Sequence, residues 1–260
     1  MNAPASLEKN DDGIFTFTLS RSDAMNALNR ALVEAILEAA NAIGDDAAAR
    51  AAIFVGLGDR AFSAGADLKE RAGLGSEEVA HAVASISRAM QAVAQIPVPT
   101  IAAINGVALG GGFELALACD IRIASTSATM GLPETTLAII PGGGGTQRLP
   151  RIAGMARAKE LIFTGRRISA GDALQYGIVH EVAAPDELRM RALTLAREIA
   201  ANGPVAVRAA KEAIMRGLEM PLEQGLNLEL EMYGRTVPTQ DRLEGLQAFR
   251  EKRAPVYRGE

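Results

Sequence analysis

The stretch Thr100-Ile-Ala-Ala-Ile-Asn-Gly-Val-Ala-Leu-Gly-Gly-Gly-Phe-Glu-Leu-Ala-Leu-Ala-Cys-Asp-Ile-Arg-Ile-Ala124 decides the fold class of this chain. Its first part is almost entirely apolar, which predicts a buried strand over residues 100–109. Glycines follow, then a short predicted helix over Phe113–Cys119 and a second strand over Asp120–Ala124. Because a helix between two strands is the usual crossover of a parallel sheet, this order predicts an α/β fold.

The same alternation extends toward the N-terminus. Residues 14–20 alternate and are rich in β-forming residues, so they are predicted as a strand, and another strand is expected at Ala51–Gly56. Apolar residues at helical spacing predict helices over Ala27–Ile43 and residues 77–94. The first half of the chain is therefore expected to form a mainly parallel sheet with crossover helices.

The C-terminal part differs in character. Beyond Thr146 the pattern is almost entirely helical, with one short predicted strand at Ile178–Val182. Prolines and glycines divide the region from about 185 to 253 into three or four helices. We therefore expect an α/β core over residues 1–184 and a C-terminal helical region over residues 185–260.

Composition excludes several classes of protein. The 260 residues carry a formal net charge of −4, which disfavours nonspecific binding to nucleic acid or anionic membranes. The apolar region Ala92–Leu109 is too interrupted by polar residues and prolines for a membrane span, and Met1–Gly13 has no signal-peptide core. The lone cysteine, Cys119, excludes an intrachain disulfide and favours a reducing compartment. A cytoplasmic protein that contacts neither membrane nor nucleic acid is expected.

Common catalytic and binding motifs are missing from the sequence. His81 and His180 lie far apart and outside any metal or catalytic motif, so no metal site and no serine triad are expected. The run Gly142–Gly145 is followed by Thr-Gln-Arg and not by the Lys of a phosphate loop. The dinucleotide fingerprint is absent as well.

Backbone N–H groups and carboxylates remain as the chemistry-bearing features. Gly110–Gly112 stands at a strand-to-helix junction, where the first N–H groups of the helix are unpaired and glycine allows a ligand close approach. Glu114 follows in the first turn, Glu134 follows Pro133 twenty residues later, and Phe62–Asp67 forms a glycine-containing turn. Two carboxylates and two such turns suit proton transfer beside a carbonyl such as that of a thioester. Singly, each of these elements is equally explained as a helix-start acid, a loop acid or a tight turn.

The segments resemble, in combination, the enoyl-CoA hydratase/isomerase (crotonase) superfamily over residues 13–260. The resemblance is carried by Ala61–Glu70, Ile104–Asp120, Gly131–Leu149, Thr164–Ala173 and Asp241–Arg253. Leu137–Arg151 and the ending Lys252–Glu260 are similar to the branch of AU-binding proteins and methylglutaconyl-CoA hydratases. The resemblance implies a crotonase-like ββα spiral core with a C-terminal helical region that takes part in trimerisation and in closing the active site.

The resemblance also implies roles for particular residues. The backbone N–H groups of Ala66 and Gly111 would form an oxyanion hole for the thioester oxygen of an acyl-CoA. Glu114 would help to activate water and Glu134 would handle the α-proton, so that a 2-enoyl-CoA, for example 3-methylglutaconyl-CoA, becomes a 3-hydroxyacyl-CoA. No metal or separate cofactor is implied, because coenzyme A enters as part of the substrate. A homotrimer or a dimer of trimers is expected.

Three cations fall near positions that contact coenzyme A in the family, namely Arg60, Lys69 and Lys252. Each is equally explained as an ordinary surface charge. Asp23 stands where some hydratases carry a lysine, which weakens the case for one contact to a CoA phosphate.

Two other functions are compatible with the family. A Δ3,Δ2-enoyl-CoA isomerase uses the same oxyanion hole and manages with one carboxylate, so the presence of both glutamates favours a hydratase. A noncatalytic RNA- or protein-binding homologue is the second alternative. The helix that would bind RNA, residues 26–49, contains Arg30 but no lysine and four acidic residues, which disfavours RNA binding.

Overall fold

A computed structural model describes residues 3–260. Met1 and Asn2 lie outside the described residues. They belong to Met1–Gly13, the segment in which no signal-peptide core is predicted. The strands are β1 Ala5–Lys9, β2 Ile14–Leu19, β3 Ala51–Gly56, β4 Ala61–Ser63, β5 Thr100–Ile104, β6 Val107–Leu109, β7 Ile121–Ser125, β8 Thr129–Gly131, β9 Ile168–Ser169 and β10 Glu181–Ala183. The helices are α1 Arg30–Asp45, α2 Leu68–Arg71, α3 Ser76–Ala94, α4 Gly111–Ala118, α5 Gly145–Ala153, α6 Met155–Thr164, α7 Ala170–Gln175, α8 Leu188–Ala200, α9 Pro204–Gly217, α10 Leu222–Thr236 and α11 Gln240–Glu251.

The strands form two sheets. The larger sheet has six strands in the order β1-β2-β3-β5-β7-β10, and only the β1–β2 pair is antiparallel. The smaller sheet has the order β4-β6-β8-β9, with β4, β6 and β8 parallel and β9 antiparallel to β8. The predicted α/β class with a mainly parallel sheet is confirmed.

One predicted strand is wrong in its extent. Residues 100–109 form two strands in different sheets, β5 and β6, separated at Asn105 and Gly106. The Asn105 side chain accepts a 3.0 Å hydrogen bond from Gly56 N–H and donates to the Gly58 carbonyl at 2.7 Å, so it satisfies backbone groups where the chain changes sheet. Because both strands are buried, the apolar pattern runs on without marking the break.

The sequence patterns also missed four strands, β1, β4, β8 and β9, and shifted another. β1 is a polar, partly exposed edge strand with no clear apolar alternation, and it was not predicted. The short strand expected at Ile178–Val182 lies at Glu181–Ala183. The helical C-terminal part is confirmed, since α8 to α11 follow one another over residues 188–251.

The two faces of the larger sheet bury different helices. Phe17 and Phe54 belong to the main core together with the buried faces of α1, α3 and α4. Ile53 and Ile101 face the opposite way, toward α8. The division of the chain at residues 184 and 185 stays a prediction, although α8 packs on the sheet. None of the helices within residues 3–260 is both long enough and apolar enough to cross a bilayer.

Candidate active site

The turn that ends in Ala66 is fixed by a short pairing with Leu28. Leu28 N–H donates to the Gly65 carbonyl at 2.7 Å, and Asp67 N–H donates to the Leu28 carbonyl at 3.1 Å. In such a parallel pairing the central residue points its own N–H away from the partner. The Ala66 N–H therefore points away from Leu28. Gly65, with φ +89°, makes the turn possible, because a side chain there would also meet the Leu109 carbonyl.

The N–H of Gly111 lies beside that of Ala66. Gly111 is the first residue of α4, so its N–H has no acceptor within the helix. A Cβ built on Gly111 would lie 3.9 Å from the Ala66 nitrogen, which shows how close the two backbone segments are. Over residues 3–260 neither N–H donates a hydrogen bond. Two backbone donors are thus available to one oxygen atom.

Ion pairing holds the same turn from the other side. The carboxylate of Asp67 pairs with Arg21 at 2.9 Å and caps α2 by accepting from Lys69 N–H at 3.2 Å. The next acid, Glu70, accepts from Arg30 N–H at 3.0 Å. The backbone around Ala66 is therefore anchored to α1 and to the segment before it, which keeps the donor in place before any ligand arrives.

Glu114 is buried in the first turn of α4, with 2% of its surface exposed. Its Oε1 accepts two 2.8 Å hydrogen bonds, from Gly143 N–H and from Gly145 N–H. Its Oε2 accepts none from residues 3–260 and is available to a ligand. Burial raises the pKa of Glu114, whereas the two N–H donors and the positive charges of Arg148 and Arg71 oppose that rise.

Glu134 opens the short 3₁₀ turn Glu134–Leu137 and is half-buried. Its Oε1 lies 3.0 Å from the position that a Cβ on Gly110 would take, so the carboxyl sits against the start of α4. Its Oε2 is buried and has no hydrogen-bond partner among the described residues. Burial raises the pKa of Glu134 to about 7, and the negative charge of Glu114 adds to the effect.

The carboxyl groups of Glu114 and Glu134 therefore differ in hydrogen bonding and acidity, although both lie at the start of α4. Two backbone N–H groups of other residues hold Glu114 as an acceptor, whereas only the backbone N–H of Glu134 itself opposes the rise in its pKa, and Glu134 is partly protonated near neutral pH. Both flank the glycine segment that presents the Gly111 N–H. This arrangement can polarise a carbonyl oxygen and move protons at the neighbouring carbon atoms.

The sequence profile of the family described as "Enoyl-CoA hydratase/isomerase" matches residues 9–260. The chain belongs to the enoyl-CoA hydratase/isomerase family. It is an enzyme of the enoyl-CoA hydratase type, within the crotonase superfamily that the sequence segments resemble.

Several relatives support the assignment over nearly the whole chain. The putative enoyl-CoA hydratase/isomerase YngF of Bacillus subtilis is 52% identical over 242 residues, covering 93% of each protein. Human mitochondrial methylglutaconyl-CoA hydratase is 50% identical over 258 residues, covering 98% of this chain and 76% of the human protein. The crystal structure of an enoyl-CoA hydratase from Bacillus anthracis superimposes with a TM-score of 0.97 at 53% identity, covering 99% of this chain and 100% of that one. The crotonase-like fold is thereby confirmed.

The three cations expected to contact coenzyme A lie in different places. Arg60 is exposed just before β4, and Lys69 is exposed on α2, so both flank the turn that carries Ala66. Lys252 is exposed at the end of α11. None of the three side chains forms an ion pair with another described residue. Their role in binding coenzyme A stays a prediction.

The groups that support Glu114 were not predicted from the sequence. The run Gly142–Gly145 does not match a phosphate loop, and no other role was predicted for these glycines. In the structure two of them hold the buried carboxylate, and Arg148 donates to the Gly143 carbonyl at 2.8 Å. The available signal was a glycine run directly before a helix, where free N–H groups bind a carboxylate.

The histidines and the cysteine take no part in this site. His81 is exposed on α3, and Nδ1 of His180 accepts a 3.2 Å hydrogen bond from Arg122 N–H. Cys119 is buried, and burial raises the pKa of its thiol to about 12, which keeps it protonated and unreactive. The expectation that catalysis needs no metal stays a prediction.

Proposed function

We propose that the protein hydrates short 2-enoyl-CoA thioesters to 3-hydroxyacyl-CoA thioesters. One observation carries the proposal: the free N–H groups of Ala66 and Gly111 lie together beside two carboxyl groups of different acidity, those of Glu114 and Glu134. A carbonyl oxygen held by the two donors brings the neighbouring double bond to the two acids. The names of the relatives agree with this reaction class.

The proposed reaction adds one water molecule across the double bond. The water oxygen bonds to C3 while one of its protons passes to the carboxylate of Glu114. The electron pair of the double bond moves toward the thioester oxygen, where the N–H groups of Ala66 and Gly111 stabilise the negative charge. Protonated Glu134 then donates to C2, and the extra proton on Glu114 returns to Glu134 through solvent or the product.

The proposed groups lower the barrier in two ways. Each oxyanion donor contributes about 3 kcal/mol to transition-state stabilisation. Positioned acid–base catalysis adds about 10²–10⁴-fold. In this scheme coenzyme A arrives as part of the substrate, and no other cofactor or metal takes part.

A substrate with a second carboxylate, such as 3-methylglutaconyl-CoA, is the finer part of the proposal. Relatives that are 50% identical are named methylglutaconyl-CoA hydratases. Arg71 supports this choice, because it is half-buried at the end of α2, has no ion-pair partner within residues 3–260, and its charge acts on both Glu114 and Glu134. A half-buried cation beside both acids suits an anionic group on the acyl chain.

The proposal extends to assembly, location and coenzyme A contacts. Large apolar side chains are exposed on the C-terminal helices, including Leu218 at 82% and Phe249 at 84%, which supports a homotrimer or a dimer of trimers.

Arg60, Lys69 and Lys252 are proposed to contact coenzyme A phosphates. A cytoplasmic location is proposed from the single, buried cysteine, and an acidic chain is not expected to bind nucleic acid.

The proposal is tested with three thioesters assayed in parallel: crotonyl-CoA, 3-methylglutaconyl-CoA and a 3-enoyl-CoA. Hydration removes the ultraviolet absorbance of the conjugated thioester, and we expect this loss with the first two substrates. Glu134→Gln should lower kcat by about 10²-fold or more. Arg71→Met should reduce kcat/KM for 3-methylglutaconyl-CoA much more than for crotonyl-CoA, whereas Lys69→Met, at a proposed coenzyme A contact, should reduce both by the same factor.

Each alternative function predicts a different result. Conversion of the 3-enoyl-CoA to a conjugated product without hydration would identify an isomerase. Full hydratase activity of Glu134→Gln would contradict the mechanism with two carboxyl groups. Retention of RNA at physiological salt together with no turnover of any thioester would favour the noncatalytic alternative.

A further inference from the structure

Arg148 lies against the glycine loop that holds the Glu114 carboxylate. It belongs to α5, whose first residue, Gly145, supplies one of the two N–H donors to Glu114. We propose that Arg148 is a positioning residue: by fixing the Gly143 carbonyl, it aims the Gly143 and Gly145 N–H groups at Glu114 Oε1. The inference rests on the proposed function, since it assigns Arg148 to the base of that reaction.

The hydrogen bonds form a continuous connection from Arg148 to Glu114. Nη1 of Arg148 donates to the Gly143 carbonyl at 2.8 Å, and Nη2 donates to the side-chain oxygen of Gln91 at 3.1 Å. Gly143 N–H then donates to Glu114 at 2.8 Å. Because Gln91 is on α3, the guanidinium ties the loop to a second helix and not only to its own. Arg148 therefore restrains the peptide between Gly143 and Gly144, which lies between the two peptides whose N–H groups hold the base.

A glycine loop needs such support more than other loops do. Glycine has the largest backbone freedom in an unrestrained loop, so a run of four glycines loses the most entropy when it is ordered. The run cannot be stiffened by larger residues, because a Cβ on Gly143 would lie 2.7 Å from Glu114 Oε2 and one on Gly145 would lie 3.0 Å from Oε1. A side chain reaching in from outside the loop can order it without crowding the carboxylate.

Charge works in the same direction. The positive charge of Arg148 lowers the pKa of Glu114 against the rise caused by burial. The other charged groups that act on Glu114 and its neighbour are Arg71 and Glu134. Removal of Arg148 leaves Glu114 buried with only Arg71 as a nearby cation. The carboxylate would then be protonated at a higher pH and would be a poorer acceptor for the water proton.

Arg151 provides a matched control on the same helix. Both arginines line a cavity of about 840 Å³ that lies between α3, α5 and α9. Arg151 donates to the Gln147 carbonyl at 3.0 Å and pairs with Glu219 at 3.5 Å, but it donates no hydrogen bond to the glycine loop. Loss of either arginine removes one charge from the same cavity, and only the loss of Arg148 releases the Gly143 carbonyl.

The test compares Arg148→Met, Arg148→Lys and Arg151→Met with the wild type, using crotonyl-CoA across a range of pH. Arg148→Met is expected to lower kcat on the order of 10²-fold with little change in KM, because the base is displaced while the thioester site is intact. The acid limb of its kcat/KM profile should move to higher pH. Arg148→Lys and added methylguanidine should each restore part of the activity, and Arg151→Met should resemble the wild type.

Two outcomes would overturn the inference. In the first, the wild type is active, and Arg148→Met folds and has the same kcat and the same acid limb as Arg151→Met. The other is a parallel loss of kcat in both variants. If the wild type hydrates no thioester, the proposed function fails by itself. The inference is then decided by ¹³C NMR titration of the glutamate carboxyls, with the Glu114 signal assigned from Glu114→Gln: an unchanged titration in Arg148→Met overturns it, and a shift to higher pH supports it.

Discussion

Glu114 accepts a 2.8 Å hydrogen bond from the backbone N–H of Gly143, a residue 29 positions later in the chain. The bond joins α4, whose first residue supplies one of the proposed oxyanion donors, to the loop that precedes α5. It also explains why the acid can be almost fully buried: its charge is met by backbone donors and by the N-terminus of a helix. Activity should therefore depend on this connection and on the contrasting surroundings of Glu134.

A methyl group at Gly143 should disturb the base directly. The new Cβ would lie 2.7 Å from Glu114 Oε2, so the carboxylate or the loop must shift. We expect Gly143→Ala to lower kcat on the order of 10²-fold. Gly171→Ala is the control, since its Cβ would meet only the Ser169 hydroxyl at 3.8 Å. Steady-state kinetics of both variants check the prediction, and equal activity would show that the carboxylate tolerates the displacement.

The rate of hydration should fall as pH rises through the pKa of Glu134. Burial raises that pKa to about 7, and the proposed mechanism needs the protonated form to donate to C2. The kcat/KM profile of the free enzyme should therefore have a basic limb near pH 7. The residual activity of Glu134→Gln should lack this limb. A limb that persists at the same pH in Glu134→Gln would assign it to another group.

The same residue should make stability depend on pH. The folded pKa of Glu134, about 7, lies above its ordinary value of 4.5, so the stability it contributes is fully present below about pH 4.5 and is lost as pH rises to about 7. Glu134→Gln stays neutral and should be more stable than the wild type at pH 8, by about 1–2 kcal/mol after allowing for its partial exposure. Urea unfolding at pH 4 and pH 8 measures the difference, which should vanish at the lower pH. A gain of the same size at both pH values would point to a cause other than ionisation.

The C-terminal helices should depend on Lys211 for their attachment to the core. Lys211 on α9 pairs with Asp120 at 2.6 Å and donates to the Val98 carbonyl at 3.0 Å, and its side chain is only 9% exposed. Lys211→Met leaves Asp120 without its cation and should cost about 2 kcal/mol of unfolding free energy. Lys159→Met, at an exposed position of α6, should change it by less than about 0.5 kcal/mol. Equal midpoints of denaturation for the two variants would contradict the prediction.

Exposed apolar residues on the last helices should hold the proposed oligomer together. A charge placed on this surface would be buried without a partner in a trimer, so Phe249→Glu should shift the protein toward monomers. Sedimentation velocity measures the change. Lys159→Glu is the control and should keep the oligomer of the wild type. A monomeric wild type, or an unchanged oligomer in Phe249→Glu, would remove this surface from the proposal.

Local patterns predicted many elements because their periods are local. The amphipathic spacing in α1 and the apolar run of β3 follow from each segment alone, and both appear where they were expected. The apolar pattern did not mark the boundary between two successive strands that are both buried. β5 and β6 lie in different sheets, yet both are buried, and only the Asn105 side chain marks the crossing. β1 was missed because an exposed edge strand needs no apolar alternation.

The sequence by itself determined the fold class and the family, and it named Ala66, Gly111, Glu114 and Glu134 as the groups to examine. The fold class followed from apolar periods within neighbouring residues, whereas the family and the four residues followed from the resemblance of several segments taken together. Only the tertiary structure decided how the two glutamates differ: Gly143 and Gly145 donate to Glu114, whereas burial leaves Oε2 of Glu134 without a hydrogen-bond partner among the described residues. The acidity of a carboxyl group depends on the donors, charges and solvent around it, and those are set by residues that the chain brings together from far apart.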